Sequence, residues 1–129
     1  MSPTPALVAF FAEHGEATTA SARRLDGWLR AWIPRCETQL QRGWHMVSYR
    51  SPPPGARAAR HADQVAYLTP YEWGLKLGFE DGVDLPDPAR LLRGNALRAR
   101  WVPLANDEAW PERALRELVR EALRSLGVG

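Results

Sequence analysis

Cysteine is nearly absent from this chain of 129 residues: Cys36 stands alone, no internal disulfide can form, and a reducing, cytoplasmic setting is the expectation. Lysine is equally scarce, Lys76 being the only one, so almost all positive charge is arginine. With 17 basic and 15 acidic residues the formal net charge is only +2, too small and too evenly scattered to predict nucleic-acid binding. No apolar run approaches the roughly 20 residues of a membrane span, and the run from Ala6 to Ala12 has no basic residue before it, so neither membrane insertion nor secretion is expected. Catalytic signatures are missing as well. Ser48 and Ser51 lie in no strand-turn-helix elbow, no glycine-rich loop ends in a lysine that would cradle a nucleotide, and Cys36 has no CxxC partner. The reading of Cys36 is a small residue at a strand start, and no enzyme is predicted. His14, His45 and His61 fall on three separate segments without paired-ligand spacing, which argues against a tight zinc site.

What is present describes an ordinary globular composition. Hydrophobic residues make up 45% and charged residues 25%, and the length suits one domain, residues 1–129, with a core large enough to fold unaided. Six tryptophans are unusual and are expected in the core and along its rim, where indole's apolar area is buried and its single donor finds a partner.

The clearest local pattern runs from Trp73 to Gly94. Trp73, Leu75, Leu77 and Phe79 recur at a period of two, predicting a strand with one face on a core. Asp81-Gly82 is a turn, and Asp87 followed by Pro88 predicts a short capped helix ending at Gly94. Upstream, residues 5–13 predict a short helix. A longer one, capped by Thr18 or Thr19, runs to about Ile33 with Leu25, Trp28, Leu29 and Trp32 on one stripe. Residues 36–43 and 46–51 read as strands, residues 52–62 as a mobile surface loop, and residues 64–69 as a strand that turns at Thr69-Pro70-Tyr71 into the Trp73 strand. A strand over residues 98–104 follows. The last helix, capped by Asn106 or Asp107, has Leu115, Leu118, Val119, Ala122, Leu123 and Leu126 on one buried stripe, with Glu112–Arg116 and Arg113–Glu117 pairs on its outer face. The order α-α-β-β-β-β-short α-β-α predicts an α+β domain, an antiparallel sheet of about five strands with helices packed on one face.

Two surfaces carry candidate chemistry. Arg98, Arg100 and Lys76, with Trp44, Trp73 and Trp101 as flat apolar walls, suit a cleft for a small anionic or aromatic ligand held by bidentate arginine contacts. If the alternation holds, Arg98 and Arg100 share a face with Val102 and place two guanidinium groups side by side; the competing reading pairs each with an acid such as Asp107 or Glu108. Glu80, Asp81, Asp84 and Asp87 form the best cluster of metal-type carboxylates, with a solvated acidic turn as the structural alternative.

The run Leu77-Gly78-Phe79, Gly82, Leu85-Pro86-Asp87-Pro88, Leu91-Leu92 and Gly94, then Arg100 and a helix ending Val119-Arg120-Glu121-Ala122, resembles the YdhG-like domain, a bacterial family of unknown function, over roughly residues 20 to 126. Trp44 and Tyr49 fall where that family has a tryptophan-glycine turn entering a strand. The resemblance implies the same α+β fold. Because one member is described as a frataxin-like iron chaperone, it also implies iron as an alternative ligand, taken by Glu80, Asp81 and Asp84, with an iron-accepting protein as partner. The chain departs from the family at Gly94-Asn95-Ala96-Leu97, where a second glycine and a lysine are usual, and at His45 and Val47, where glycine and proline are usual.

Overall fold

The expected strands form one antiparallel sheet that follows chain order, and the three helices lie against one of its faces. The computed structural model describes residues 3–128. Its elements are α1 (Pro5–Ala12), α2 (Glu16–Trp32), β1 (Glu37–Gln41), β2 (Met46–Arg50), β3 (Gln64–Tyr71), β4 (Gly74–Phe79), β5 (Arg100–Ala105) and α3 (Glu112–Ser125), with single 3₁₀ turns at Arg42–Trp44, His61–Asp63 and Gly82–Asp84. The sheet order is β1-β2-β3-β4-β5 and every neighbouring pair is antiparallel.

Alternation along the strands divides the sheet into two unlike faces. Val47, Tyr49, Leu68, Leu75, Leu77, Phe79, Val102 and Leu104 point toward the helices and are buried against Leu25 and Leu29 of α2 and Leu115, Leu118 and Val119 of α3. Full burial of each such side chain stabilises the fold by about 1.5–3 kcal/mol. Among these apolar groups sits a closed polar unit: Asp26 accepts from Tyr49 Oη at 2.7 Å and from Arg30 Nε at 2.8 Å. Its carboxylate is 1% exposed, so removing it would strand a buried guanidinium. The opposite face, with Ser48, Tyr67, Thr69, Lys76, Gly78 and Trp101, carries no helix. Gly78 is required there because a Cβ would fall inside the Tyr67 ring, which lies across it.

Several expected boundaries move, each for a tertiary reason. No helix forms between Pro88 and Gly94: both oxygens of Asp87 take amides, from Leu91 and Leu92 at 2.9 Å, and Arg90 adopts φ 57. The segment stays irregular because Arg93 bridges Trp101 on the outer edge of β5 through two backbone hydrogen bonds. Neither Thr18 nor Thr19 caps α2, which starts from Gly15 at φ 95; the Thr18 hydroxyl donates instead to the Tyr71 carbonyl at 2.6 Å, tying α2 to the β3–β4 turn. Asn106 is likewise diverted from capping α3, donating to Thr18 Oγ1 and the Glu72 carbonyl, while Pro111 occupies the cap position. Trp73 lies in the turn rather than in β4, half exposed and stacked on Tyr71 at 5.4 Å, because β3 extends to Tyr71.

Candidate functional site

The arginine pair expected on β5 does not exist as a pair. Arg98 precedes the strand and reaches back to the turn after β4, where its Nε meets Asp81 at 2.6 Å and its Nη2 bonds Asp84. Arg100 opens β5 opposite Phe79, on the helix side, and its Nη1 donates to the Ala96 and Ala99 carbonyls at 2.6 and 2.7 Å. Neither pairs with Asp107 or Glu108. The same contacts occupy the acidic turn, since Glu80 meets His61 Nε2 at 3.0 Å. Asp87 holds its own loop. Among the described residues no group of three or more His, Cys, Asp or Glu side chains is placed to hold a metal ion.

Lys76, Trp101 and Trp73 do come together, on the helix-free face. Lys76 Nζ lies 4.1 Å from the Trp101 ring centroid and 5.2 Å from that of Tyr71, on which Trp73 stacks. The lysine is thus embedded in an aromatic strip by cation–π attraction. Trp44, 77% exposed, stands apart from them and walls a shallow groove of about 410 Å³ over Met46, Tyr67 and Thr69. Ser48, buried on this face, has a hydroxyl without a partner among the described residues.

An arginine- and tryptophan-lined cleft does exist, between α2 and α3. It has a volume of about 520 Å³; Trp32, Val119, Leu123 and Val128 provide its apolar walls, and Arg116, Arg120 and Arg124 its charge. The apolar stripe of α3 explains the arrangement. Burying Leu115, Val119, Ala122 and Leu123 turns residues 116, 120 and 124, one helical turn apart, into a row along the edge of the buried face. On the other side Trp28 and Trp32, four residues apart on α2, stack at 5.3 Å, and Trp110 closes on Trp28 edge-on at 5.7 Å. Arg24 covers both Trp28 and Trp110. Trp32 is therefore held as a rigid wall.

Among the described residues no acidic side chain lines the cleft. Arg120 pairs with Glu117 at 3.3 Å and Arg124 with Glu121 at 2.8 Å, both outside it and both exposed, whereas Arg116 makes no ion pair among the described residues. These i, i+3 pairs replace the Glu112–Arg116 and Arg113–Glu117 pairs expected from the sequence. Exposed pairs are worth about 0–1 kcal/mol, so they do not bar the two guanidinium groups from turning to a ligand. The period of four in Arg116-x-x-x-Arg120-x-x-x-Arg124 was visible in the sequence, but assigning Arg116 to an ion pair concealed the row.

Cys36, at the start of β1, is half buried, and desolvation pushes its thiol up to about 11, with nearby Arg30 opposing the shift. It is a protonated thiol at neutral pH, unlike a nucleophilic cysteine. The Tyr49 hydroxyl is held well above its ordinary range by burial first and by the Asp26 charge and hydrogen bond next. Among the described residues, no helix is long and apolar enough to cross a membrane. Compared with family models, with curated proteins and with solved structures, the chain matches none of them.

Proposed function

We propose that this protein is a cytoplasmic binding protein of YdhG-like type that takes a small anionic ligand with an apolar body in the cleft between α2 and α3. The observation that carries the proposal is the row of three guanidinium groups, Arg116, Arg120 and Arg124, beside the apolar wall of Trp32 and Val128, with no acidic side chain among the described lining residues. A carboxylate or phosphate between neighbouring arginines accepts several charge-assisted hydrogen bonds and relieves their mutual repulsion. The apolar part of the ligand covers Trp32 and Val128. Binding rather than catalysis is supported by the protonated state of Cys36 and by the lack of a nucleophile with an adjacent base in this cleft.

Thermal shift with inorganic phosphate, phenyl phosphate and octanoate tests the reading. Phenyl phosphate and octanoate are expected to raise the melting temperature more than inorganic phosphate. At a hundred times Kd the stabilisation is about 2.7 kcal/mol, a shift of several degrees. The double variant Arg116→Gln, Arg120→Gln should keep its fold and lose the shift. An equal response to all three anions, or a response that survives the double variant, overturns the proposal.

The alternative of iron binding at the acidic turn requires the carboxylates of Asp81 and Asp84 to leave Arg98 and that of Glu80 to leave His61. An anaerobic iron(II) titration of the parent against a variant with Glu80, Asp81 and Asp84 changed to amides decides it, equal behaviour of the two removing the turn from consideration.

A further inference from the structure

The end of α1 and the turn between β1 and β2 bring together two histidines that are 31 positions apart in the sequence. His14 Nε2 and His45 Nε2 lie 2.9 Å from one another, and His45 Nε2 lies 3.1 Å from the carbonyl oxygen of Pro70 in β3. The rings are inclined at 64°, and Phe10 meets both edge-on, at 5.8 and 5.3 Å, which holds their orientation. His45 sits in the left-handed region, φ 54 and ψ 46, immediately after the 3₁₀ turn at Arg42–Trp44, and that backbone conformation turns its ring toward α1.

Neutral imidazoles meet both contacts only if one hydrogen is shared between two acceptors. A neutral imidazole has one N–H and one lone pair. If His45 Nε2 carries the proton, that single hydrogen faces both the Pro70 oxygen and the His14 nitrogen. If it does not, its lone pair faces the lone pairs of the Pro70 oxygen. His14 Nδ1, buried with no partner among the described residues, stands outside this conflict. A cation in contact with all three atoms removes it, since each then offers a lone pair. Donors about 2.0–2.2 Å from a first-row metal and at right angles to one another are separated by about 2.9–3.1 Å, whereas tetrahedral angles spread them to about 3.3–3.6 Å. The observed 2.9 and 3.1 Å separations match the right-angled arrangement.

We propose that His14, His45 and the Pro70 carbonyl form a binding site for a divalent first-row cation of tetragonal or octahedral preference, of the copper(II) or nickel(II) class. Imidazole suits these ions and the geometry disfavours zinc. Two side-chain ligands and one carbonyl leave the remaining positions to water, so the ion exchanges readily. The site joins the start of the helical layer to the end of the central strand β3 beside Tyr71, and it is separate from both the α2–α3 cleft and the acidic turn.

The test uses the full chain without an affinity tag. Nickel(II) titration by calorimetry is expected to show one equivalent bound. The electron paramagnetic resonance spectrum of the copper(II) form should be axial, with superhyperfine coupling from two nitrogens. His14→Gln and His45→Asn should each weaken nickel binding by more than the roughly 10- to 100-fold that loss of an outer-shell partner costs, while His61→Gln leaves it unchanged. Asparagine tolerates the left-handed region, so the second variant is expected to fold; the nitrogen count in the unaltered protein stands even if it does not. A hydrogen-bonded pair only, seen as no saturable uptake by the parent, overturns the proposal. So does coupling to a single nitrogen, or equal binding by both folded variants.

Discussion

Helix α3, beside the cleft, and the turn after β4 contain the same residue types, arginines and carboxylates, yet differ in how far their charges are paired. Around the turn, Arg98 is drawn onto Asp81 and Asp84, and Glu80 onto His61, so cation and anion cancel within a few ångströms. Along α3 Arg120 and Arg124 pair with Glu117 and Glu121, acids that lie outside the cleft lining, and Arg116 makes no ion pair among the described residues. What differs is the element that holds the charges. An irregular turn lets a long side chain fold back onto its neighbours, whereas a helix fixes residues four apart in a row and lets each meet only the acids three or four positions away. A cluster of charges in a sequence is therefore a candidate site only where the backbone leaves part of it unpaired, as it leaves Arg116.

Removing an acid from an arginine tests that contrast, beginning where burial is deepest. Asp26→Ala leaves Arg30 without its partner beneath the sheet and should lower stability by about 3–5 kcal/mol, read from urea unfolding. A loss of a few tenths would show that Arg30 escapes to solvent and that burial does not separate the two classes of pair. At the exposed turn the corresponding change should barely move the unfolding curve: Arg98→Gln frees Asp81 and Asp84, and its signature is weak iron(II) uptake that the parent lacks. Iron uptake by the parent and by Arg98→Gln alike would show that the guanidinium does not block the turn.

The smallest expected effect is on pH dependence. The Cys36 thiol is raised from 9.0 to about 11 in the folded state, so above pH 9 the unfolded chain gives up its proton first and the native state binds more protons. Stability is therefore complete below the unfolded value and is lost as pH rises toward about 11, with Tyr49, also raised, adding a loss of the same sign at higher pH. Denaturation midpoints measured across this window should fall with pH in the parent and fall less in Cys36→Ser. A flat profile in the parent would mean that the thiol is solvated in the native protein.

Much of the fold was legible because it rests on period. The alternation of Leu75, Leu77 and Phe79 and the stripes of α2 and α3 each report one buried face, and the structure keeps all three. Capping was less legible. Thr18, Asn106 and Asp87 all have side chains that satisfy helix amides, yet here they serve the Tyr71 carbonyl, Thr18 and the loop amides of Leu91 and Leu92. A short polar side chain bonds whichever partner the fold presents, and the sequence names only the local one. Among the candidate site residues, Lys76 meets Trp101, and Trp73 joins them through Tyr71, although the alternation sets Trp73 on the core side of its strand, opposite Lys76. Arg98 and Arg100 do not meet, because strand β5 begins two residues later than the pattern suggests.

The sequence by itself determined an α+β domain with its helices on one side of an antiparallel sheet, a single free thiol, and a final helix with a row of arginines at a spacing of four. Those properties depend on neighbours within a few positions along the chain, where backbone geometry dictates which side chains share a face. Only the tertiary structure decided that Arg98 is neutralised and Arg116 is not, that Trp32 forms a wall opposite α3, and that His14 meets His45 over the Pro70 carbonyl. Electrostatic pairing and ligand geometry depend on separations in space, and residues 14, 45 and 70 acquire theirs only when α1, the β1–β2 turn and β3 pack together.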